Sequence, residues 1–325
     1  MAQLRDVAQS TLAVVIGWAA RMSARREGVA LVYHRVGGSR SDPHVEILAA
    51  VSRSVFERQL RHLRRHYRVV PARELLDAVR TRRRGARFPV SITFDDDLAS
   101  HVSDALPVLE RTGVTATFFL GGTSLNGPRP FWWEDLQRAV DERIVEPDAL
   151  PHVEGADVRA ALERSPKAIF RVAATIEQLA PPKRDEVAAA LRAMVGARAA
   201  EEGLREPDVK ALVAADCDVG FHTVRHDALP ALSDDALEQA LHDGREALAT
   251  AAGIRLDLIS YPYGKADERV AAAARSEGFT FGFTTQRTRL THETDPLLIP
   301  RLPPAPSAGK LALRLARAVS SSGPR

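Results

Sequence analysis

Cysteine is almost missing: Cys217 is the only one in 325 residues, so no disulfide within the chain can staple the fold. This leans towards a reducing, cytoplasmic setting and leaves cohesion to apolar packing, for which 45% apolar residues suffice. Net charge is small as well, +3 by formal count, although the pI is near 9.2. The one arginine cluster, TRRRGAR over residues 81–87, has no aromatic or motif context. It reads as a solvated loop, and no nucleic-acid partner is expected. A charged fraction of 27% argues against general disorder, and no internal repeat stands out. Long apolar runs are lacking too. The stretch from Thr11 to Ala20 is too short to cross a bilayer as a helix. It follows Arg5 and Asp6 and runs into arginines, not into a small-residue cleavage site, which argues against a secretory leader. Residues 1–27 are therefore expected to form a helix that packs on the domain or lies on a membrane surface.

What is present is a recurrent alternation of strand and helix. Near-continuous apolar runs occur at 29–36, 90–97, 115–122, 217–224, 256–264, 279–285 and 297–304. Such runs suit strands buried on both faces. Amphipathic segments lie between them: one places Phe56, Leu60 and Leu63 on one face, one runs from a cap at Ser103 to Gly113, and one from Ser233 to Gly253. The expected class is α/β, a parallel sheet covered by helices, with seven strands suiting an incomplete barrel. The exception is about 131–215, rich in Ala, Glu and Arg and without a convincing strand, which reads as a helical insertion. The chain thus divides into an N-terminal helix (1–27), a barrel with its insertion (28–306), and a C-terminal helix with a frayed tail (307–325).

Polar residues collect where the strands should end, which in a parallel α/β barrel is where active sites form. His34 ends the first run. Asp95 and Asp96 end the second, His222 and His226 follow the fourth, and Tyr261, Pro262 and Tyr263 end the fifth. Taken singly, each is ordinary: a strand-end Asp more often caps a turn, and a lone His is usually structural. Jointly they point elsewhere. HTVRH supplies two imidazoles four residues apart, and the neighbouring carboxylates complete an Asp, His, His set. Three ligands with an open position have the composition of a catalytic divalent-metal site. Zinc is the expected ion, with cobalt, nickel or iron able to replace it.

TFDDD, HTVRH and YPYG, flanked by LVYHRV, TATFFLGG and IPRLPP, resemble the signature segments of the polysaccharide deacetylase family, also called carbohydrate esterase family 4 or the NodB-homology family. The resemblance covers about residues 29–125 and 212–304. It implies a distorted (β/α)7 barrel, TIM-barrel-like, that uses a divalent metal to remove acetyl groups from amino sugars. It further implies Asp95 as general base, and Asp96, His222 and His226 as metal ligands. The backbone N–H of Tyr263, after the donor-less Pro262, would hold the oxyanion. His34 is the expected general acid, by resemblance to members whose first strand ends in YH, with His292 a second candidate. Strand alternation sends neighbours to opposite faces, so the chain must bend after Phe94 for both carboxylates to reach one site.

Three departures from the family pattern stand out. Asp97 occupies the place of a Gly after the paired aspartates, and reads as a tolerated turn residue or as an extra carboxylate near the metal. Ser260 replaces an Arg that orients the base, a role Arg301 could take. No late Leu-x-x-His segment is visible, which leaves the acid to His34. Trp132 and Trp133, with the motif tyrosines, are candidates for stacking on an acetylated glycan, or equally for packing insertion on barrel. Two rival readings remain: a degenerate carbohydrate-binding barrel, to which Asp97 and Ser260 would point, and a deacylase of a non-sugar amide or O-acetyl ester.

Overall fold

A computed structural model describes residues 2–38, 42, 44–48, 50–125, 131–196, 203–286 and 288–320. Its strands are β1 (Glu27–Tyr33), β2 (Arg68–Val69), β3 (Pro89–Asp95), β4 (Thr117–Leu120), β5 (Asp218–Phe221), β6 (Leu258–Ser260), β7 (Phe281–Thr284), β8 (Leu290–Thr291) and β9 (Ile299–Leu302). The seven apolar runs are the seven barrel strands. They pair in parallel in the order β3-β4-β5-β6-β7-β9-β1, and β1 returns to β3 over five residue pairs, closing the barrel. β2 extends β3, and β8 lies antiparallel on the start of β1. Both are two residues long, too short to leave a periodic signal.

The helices follow from their apolar faces and caps. α1 (Ala2–Arg21) precedes the barrel, and α2 (Arg53–His66) starts where the Ser52 hydroxyl accepts from the Val55 N–H and buries Phe56, Leu60 and Leu63. α3 (Leu75–Arg80) is followed by α4 (Leu106–Thr112), which ends at Gly113 in the left-handed region. Ser103 is not the cap expected for α4: a π turn over His101–Ala105 leads into it, and Ser103 bonds Asp104 instead. α5 (Trp132–Asp141), α6 (Gly155–Leu162), α7 (Ala168–Gln178) and α8 (Pro181–Val195) share an apolar core of their own. α9 (Glu206–Ala214) belongs to the barrel instead, since Val209 and Leu212 join the main core. The expected insertion to about 215 therefore ends earlier, before α9. α10 (Asp234–His242) and α11 (Arg245–Ala252) replace the single helix expected from Ser233 to Gly253, because the chain breaks at Gly244, φ +76°. α12 (Glu268–Ser276) and α13 (Ala308–Ser320) complete the set; the tail at 321–325 lies outside the described residues.

Alternation along the closed strands sorts side chains into an inner and an outer set. Ala30, Phe119, Leu258, Phe283 and Ile299 form the inner cluster with Leu75, Leu76 and Val79 of α3. Leu31, Tyr33, Phe94, Phe118, Phe221, Ile259 and Tyr261 belong to the main cluster, which they share with Phe56 and Leu60 of α2 and Val108 of α4. The same alternation gives Thr93, Asp95, Ser260 and Arg301 the inner parity, and all four are buried.

Candidate metal centre

Arg301 has the largest of the fully buried side chains, and its charge is met inside the barrel. Its guanidinium forks onto Asp95, Nη1 to Oδ1 and Nη2 to Oδ2, both at 2.7 Å. It also donates to Thr93 Oγ1 at 3.0 Å and to Ser260 Oγ at 2.7 Å, while Ser260 Oγ donates to Asp95 Oδ2 at 3.1 Å. A fork of this kind fixes a carboxylate in direction as well as charge. Burial alone would raise the Asp95 carboxyl, but the charge of Arg301 beside it outweighs this and holds the group well below the usual carboxylate range. Ser260 thus stands within a network in which Arg301 reaches Asp95 from β9.

Asp96 should face outward, one residue after inward Asp95. Instead its backbone is left-handed, φ +73°, and turns the side chain back to the barrel mouth. Its Oδ1 is buried without a hydrogen-bond partner, 3.5 Å from His222 Nε2 and 3.6 Å from His226 Nε2. One ligand atom from each of the three residues lies within 4.8 Å of the others. His222 Nδ1 is 2.7 Å from the Ser260 carbonyl and must donate to it, which leaves Nε2 as a lone-pair donor towards Asp96. Burial, followed by the neighbouring His222, pushes His226 down to about 3 and keeps it neutral. An orphaned buried carboxylate oxygen facing two imidazole nitrogens fits a divalent cation by donor chemistry and by desolvation.

The backbone that carries these ligands is strained in a consistent way. Asp96, Thr223, His226 and Tyr263 are all non-glycine residues with positive φ, 73°, 60°, 50° and 58°. Such conformations cost of order 1–3 kcal/mol each and persist only where surrounding contacts impose them. Three of those contacts escaped the sequence reading. The His101 ring Nε2 sits 3.0 and 2.9 Å from the carbonyls of Asp95 and Asp96, and so must carry a proton to donate to them. Burial pushes His101 down to about 4, so it stays neutral in this role. Arg184 of α8 donates to the carbonyls of Arg225 and His226, both at 3.3 Å, and pairs with Asp227, tying the insertion to the histidine loop. Gly121 passes so close that a Cβ there would lie 2.8 Å from the Thr223 carbonyl.

Asp97 is neither the strained turn residue nor a further carboxylate at the cation site. The positive φ falls on Asp96, and Asp97 turns away to cap the loop after β4. It accepts from the N–H groups of Gly121 (2.8 Å) and Thr123 (2.8 Å), more weakly from those of Gly122 and Ser124, and from Thr123 Oγ1 (2.9 Å). Asp97→Ala would strand several of these donors, and we expect a stability loss of about 3 kcal/mol. Thermal unfolding checks this, with metal stoichiometry at full value; a stoichiometric loss of metal from folded protein would count against the assignment.

A cavity of about 260 Å³ opens above the site, between barrel and insertion. Asp95, Asp96, His222, His226, His34 and Tyr263 line one side; Trp132, Trp133, Phe170 and Ala173 line the other. The tryptophans line this cavity and also belong to the insertion core, and Trp133 lies 4.6 Å ring to ring from His226. Tyr261 is a correction. Alternation directs Ser260 inward and Tyr261 outward, so its ring is fully buried in the main core, with the hydroxyl donating to the Leu297 carbonyl at 2.9 Å. Pro262 does not line the cavity either. It starts a tight turn whose hydrogen bonds run from Gly264 N–H to Tyr261 O and from Lys265 N–H to Pro262 O, leaving the Tyr263 N–H outside them. Gly264 has φ +66°, and a Cβ there would strike Thr285. His292 is removed as a candidate acid: its N–H bonds the Arg26 carbonyl beside the start of β1, at the opposite end of the barrel.

A family model described as polysaccharide deacetylase matches residues 82–146 and 175–282, more than half of the chain. Among solved structures, the chain is similar to the deacetylase PplD of Streptococcus pyogenes in complex with acetate (16% identity, covering 89% of this chain and 98% of that one, TM-score 0.59). It is also similar to IcaB from Ammonifex degensii (19%, 91% and 97%, TM-score 0.55). A third is a de-N-acetylase from Aggregatibacter actinomycetemcomitans (14%, 85% and 94%, TM-score 0.52). At these identities the likeness is one of fold. No curated protein sequence matches the chain.

Proposed function

The chain belongs to the polysaccharide deacetylase family, and from that premise we propose that it is a metal-dependent hydrolase that removes N-acetyl groups from an amino sugar in a glycan or glycan precursor. The observation that carries this reading is the pairing of two carboxylates with opposite tasks. Asp95 is locked to Arg301, while the adjacent Asp96 presents an unpartnered oxygen to two imidazoles. A divalent ion held by Asp96, His222 and His226 would supply Lewis acidity, sharpening a water and drawing charge from the acyl oxygen.

The chain's own residues do the rest. Asp95, ionised and aimed by Arg301, takes the proton from the attacking water. The Tyr263 N–H, free of the turn's own hydrogen bonds, donates to the oxygen that becomes negative as the carbonyl carbon turns tetrahedral. His34, on the same cavity wall, delivers a proton to the departing amine. Trp132, Trp133 and Phe170 offer apolar faces to a pyranose ring and keep bulk water from the reacting centre.

Acetate release from N-acetylglucosamine oligomers, measured beside metal content by elemental analysis, tests this directly. Purified protein should hold about one divalent cation per chain, as a three-ligand site requires. Chelation should abolish release and the metal should restore it. His222→Ala should lose the cation together with the activity. Release indifferent to chelation, or full metal stoichiometry in His222→Ala, would refute the site as drawn.

A further inference from the structure

No helix among the described residues is long and apolar enough to cross a membrane, yet α1 does not hide its apolar residues. One face is satisfied: Ala13 and Ile16 pack on Ala312 and Ala316 of α13, and Asp6 accepts the Gly309 N–H at 2.8 Å. The other face carries Leu12, Val15, Trp18 and Met22, three or four residues apart and so in one stripe along the helix. Trp18 is 66% exposed and Val15 60%, with Val14 beside them. These are all but one of the large apolar side chains exposed among the described residues; Ile144 is the other. Chance exposure scatters such residues singly and does not line them up on one helix.

The end of this stripe is joined to a basic surface. Gly85 N–H bonds the Arg21 carbonyl at 2.8 Å, and Arg82 donates to the carbonyls of Arg21, Ser23 and Arg25, so the arginine-rich loop is stitched to the end of α1. Arg83, Arg84 and Arg87 of that loop are exposed, as are Arg64 and Arg65 at the end of α2 and Arg68 at the start of β2. Arg21, Arg65 and Arg87 are close enough to bear jointly on His66. Among the described residues, none of these seven arginines (Arg21 included) is paired with a carboxylate. Arg21 precedes β1, Arg64 and Arg65 precede β2, Arg68 opens it, and the loop arginines precede β3, so all sit at the end of the barrel away from the cation site.

We propose that α1 and this arginine surface form a docking face for an anionic lipid bilayer. An apolar stripe with a tryptophan and a contiguous unpaired cationic patch match the acyl boundary and the anionic headgroups in turn. A second copy of the chain would answer the stripe but would bring the same arginines with it. The face lies on one flank and the lower end of the barrel, so docking leaves the cavity mouth open to a glycan in the aqueous phase.

Vesicle co-sedimentation of the full chain decides it. With phosphatidylcholine vesicles containing about a third phosphatidylglycerol, binding should be clear, at least tenfold stronger than to pure phosphatidylcholine, and should weaken in high salt. The Trp18 emission should shift to the blue on binding, because Trp132 and Trp133 are already buried. Two variants should each lose at least tenfold in binding while acetate release from a soluble oligomer stays at the wild-type rate. One is Leu12→Ser with Val15→Ser and Trp18→Ser; the other is Arg83→Glu with Arg84→Glu and Arg87→Glu. Equal binding to neutral and anionic vesicles, or none to either, overturns the proposal. So does a dimer in sedimentation velocity that only the α1 variant abolishes, or a preference for nucleic acid over vesicles that only the arginine variant abolishes.

Discussion

Asp95→Asn should cut turnover by about 10² to 10⁴-fold while leaving the cation in place. The two halves of this result rest on different contacts. Asp95 is not one of the three groups whose ligand atoms face one another across the cation site; its side chain hydrogen-bonds Arg301 and Ser260. An amide at this position keeps an acceptor for Arg301 and so keeps its direction, but it cannot take a proton from water at neutral pH. The variant will also be less stable by a few kcal/mol, because the buried guanidinium loses its counter-charge. Folded variant must therefore be assayed well below its unfolding temperature. Elemental analysis then reads the decisive quantity. Full metal content with activity lost separates the base from the ligands, whereas metal lost along with activity would mean that Asp95 and Asp96 have been given each other's roles.

How far these roles can be read in advance depends on whether they are written in period or in contact. The seven barrel strands were legible because each is an apolar run, and the order of the motifs followed from strand ends. The inward parity of Asp95 and Arg301 is also a matter of alternation, but their meeting depends on barrel closure through β1 and β3, which no local pattern encodes. Tyr261 was misread for the same reason that Arg301 was within reach. Its neighbour Ser260 takes the inward face, so the aromatic ring that suggested sugar contact is turned into the core. Asp97, expected as a tolerated turn residue or as an extra carboxylate near the metal, is neither, because the amides it caps lie 24 to 27 residues onward, where no local pattern points. His101 left only the trace of a histidine between an expected strand and the helix expected from Ser103. Its task, gripping the carbonyls of a left-handed turn, comes from a π turn that propensity does not announce.

Arg301→Met should be strongly destabilising as well as damaging to activity, and it should betray itself through pH. In the wild type the Asp95 carboxyl is held below its ordinary value, so the pair contributes stability above the unfolded carboxylate range near 4, and that contribution is lost only as pH falls through the depressed native value. Without the guanidinium, burial dominates and the native value rises above the unfolded one. The sign then reverses: the variant is penalised as pH rises past about 4, by about 3–5 kcal/mol once the carboxylate is ionised and unpaired. Catalysis should follow the same carboxyl. The acid limb of kcat/KM against pH should move upward by about one unit or more, with kcat at neutral pH reduced by about 10²-fold because the base is both less often ionised and less well aimed. Adding Asp95→Asn to Arg301→Met should recover part of the lost stability, since the unpaired charge is gone, while activity stays at the floor of the Asp95→Asn variant. Additive losses in the double variant would show that the two side chains do not act on one another, and the orienting role given to Arg301 would have to be withdrawn.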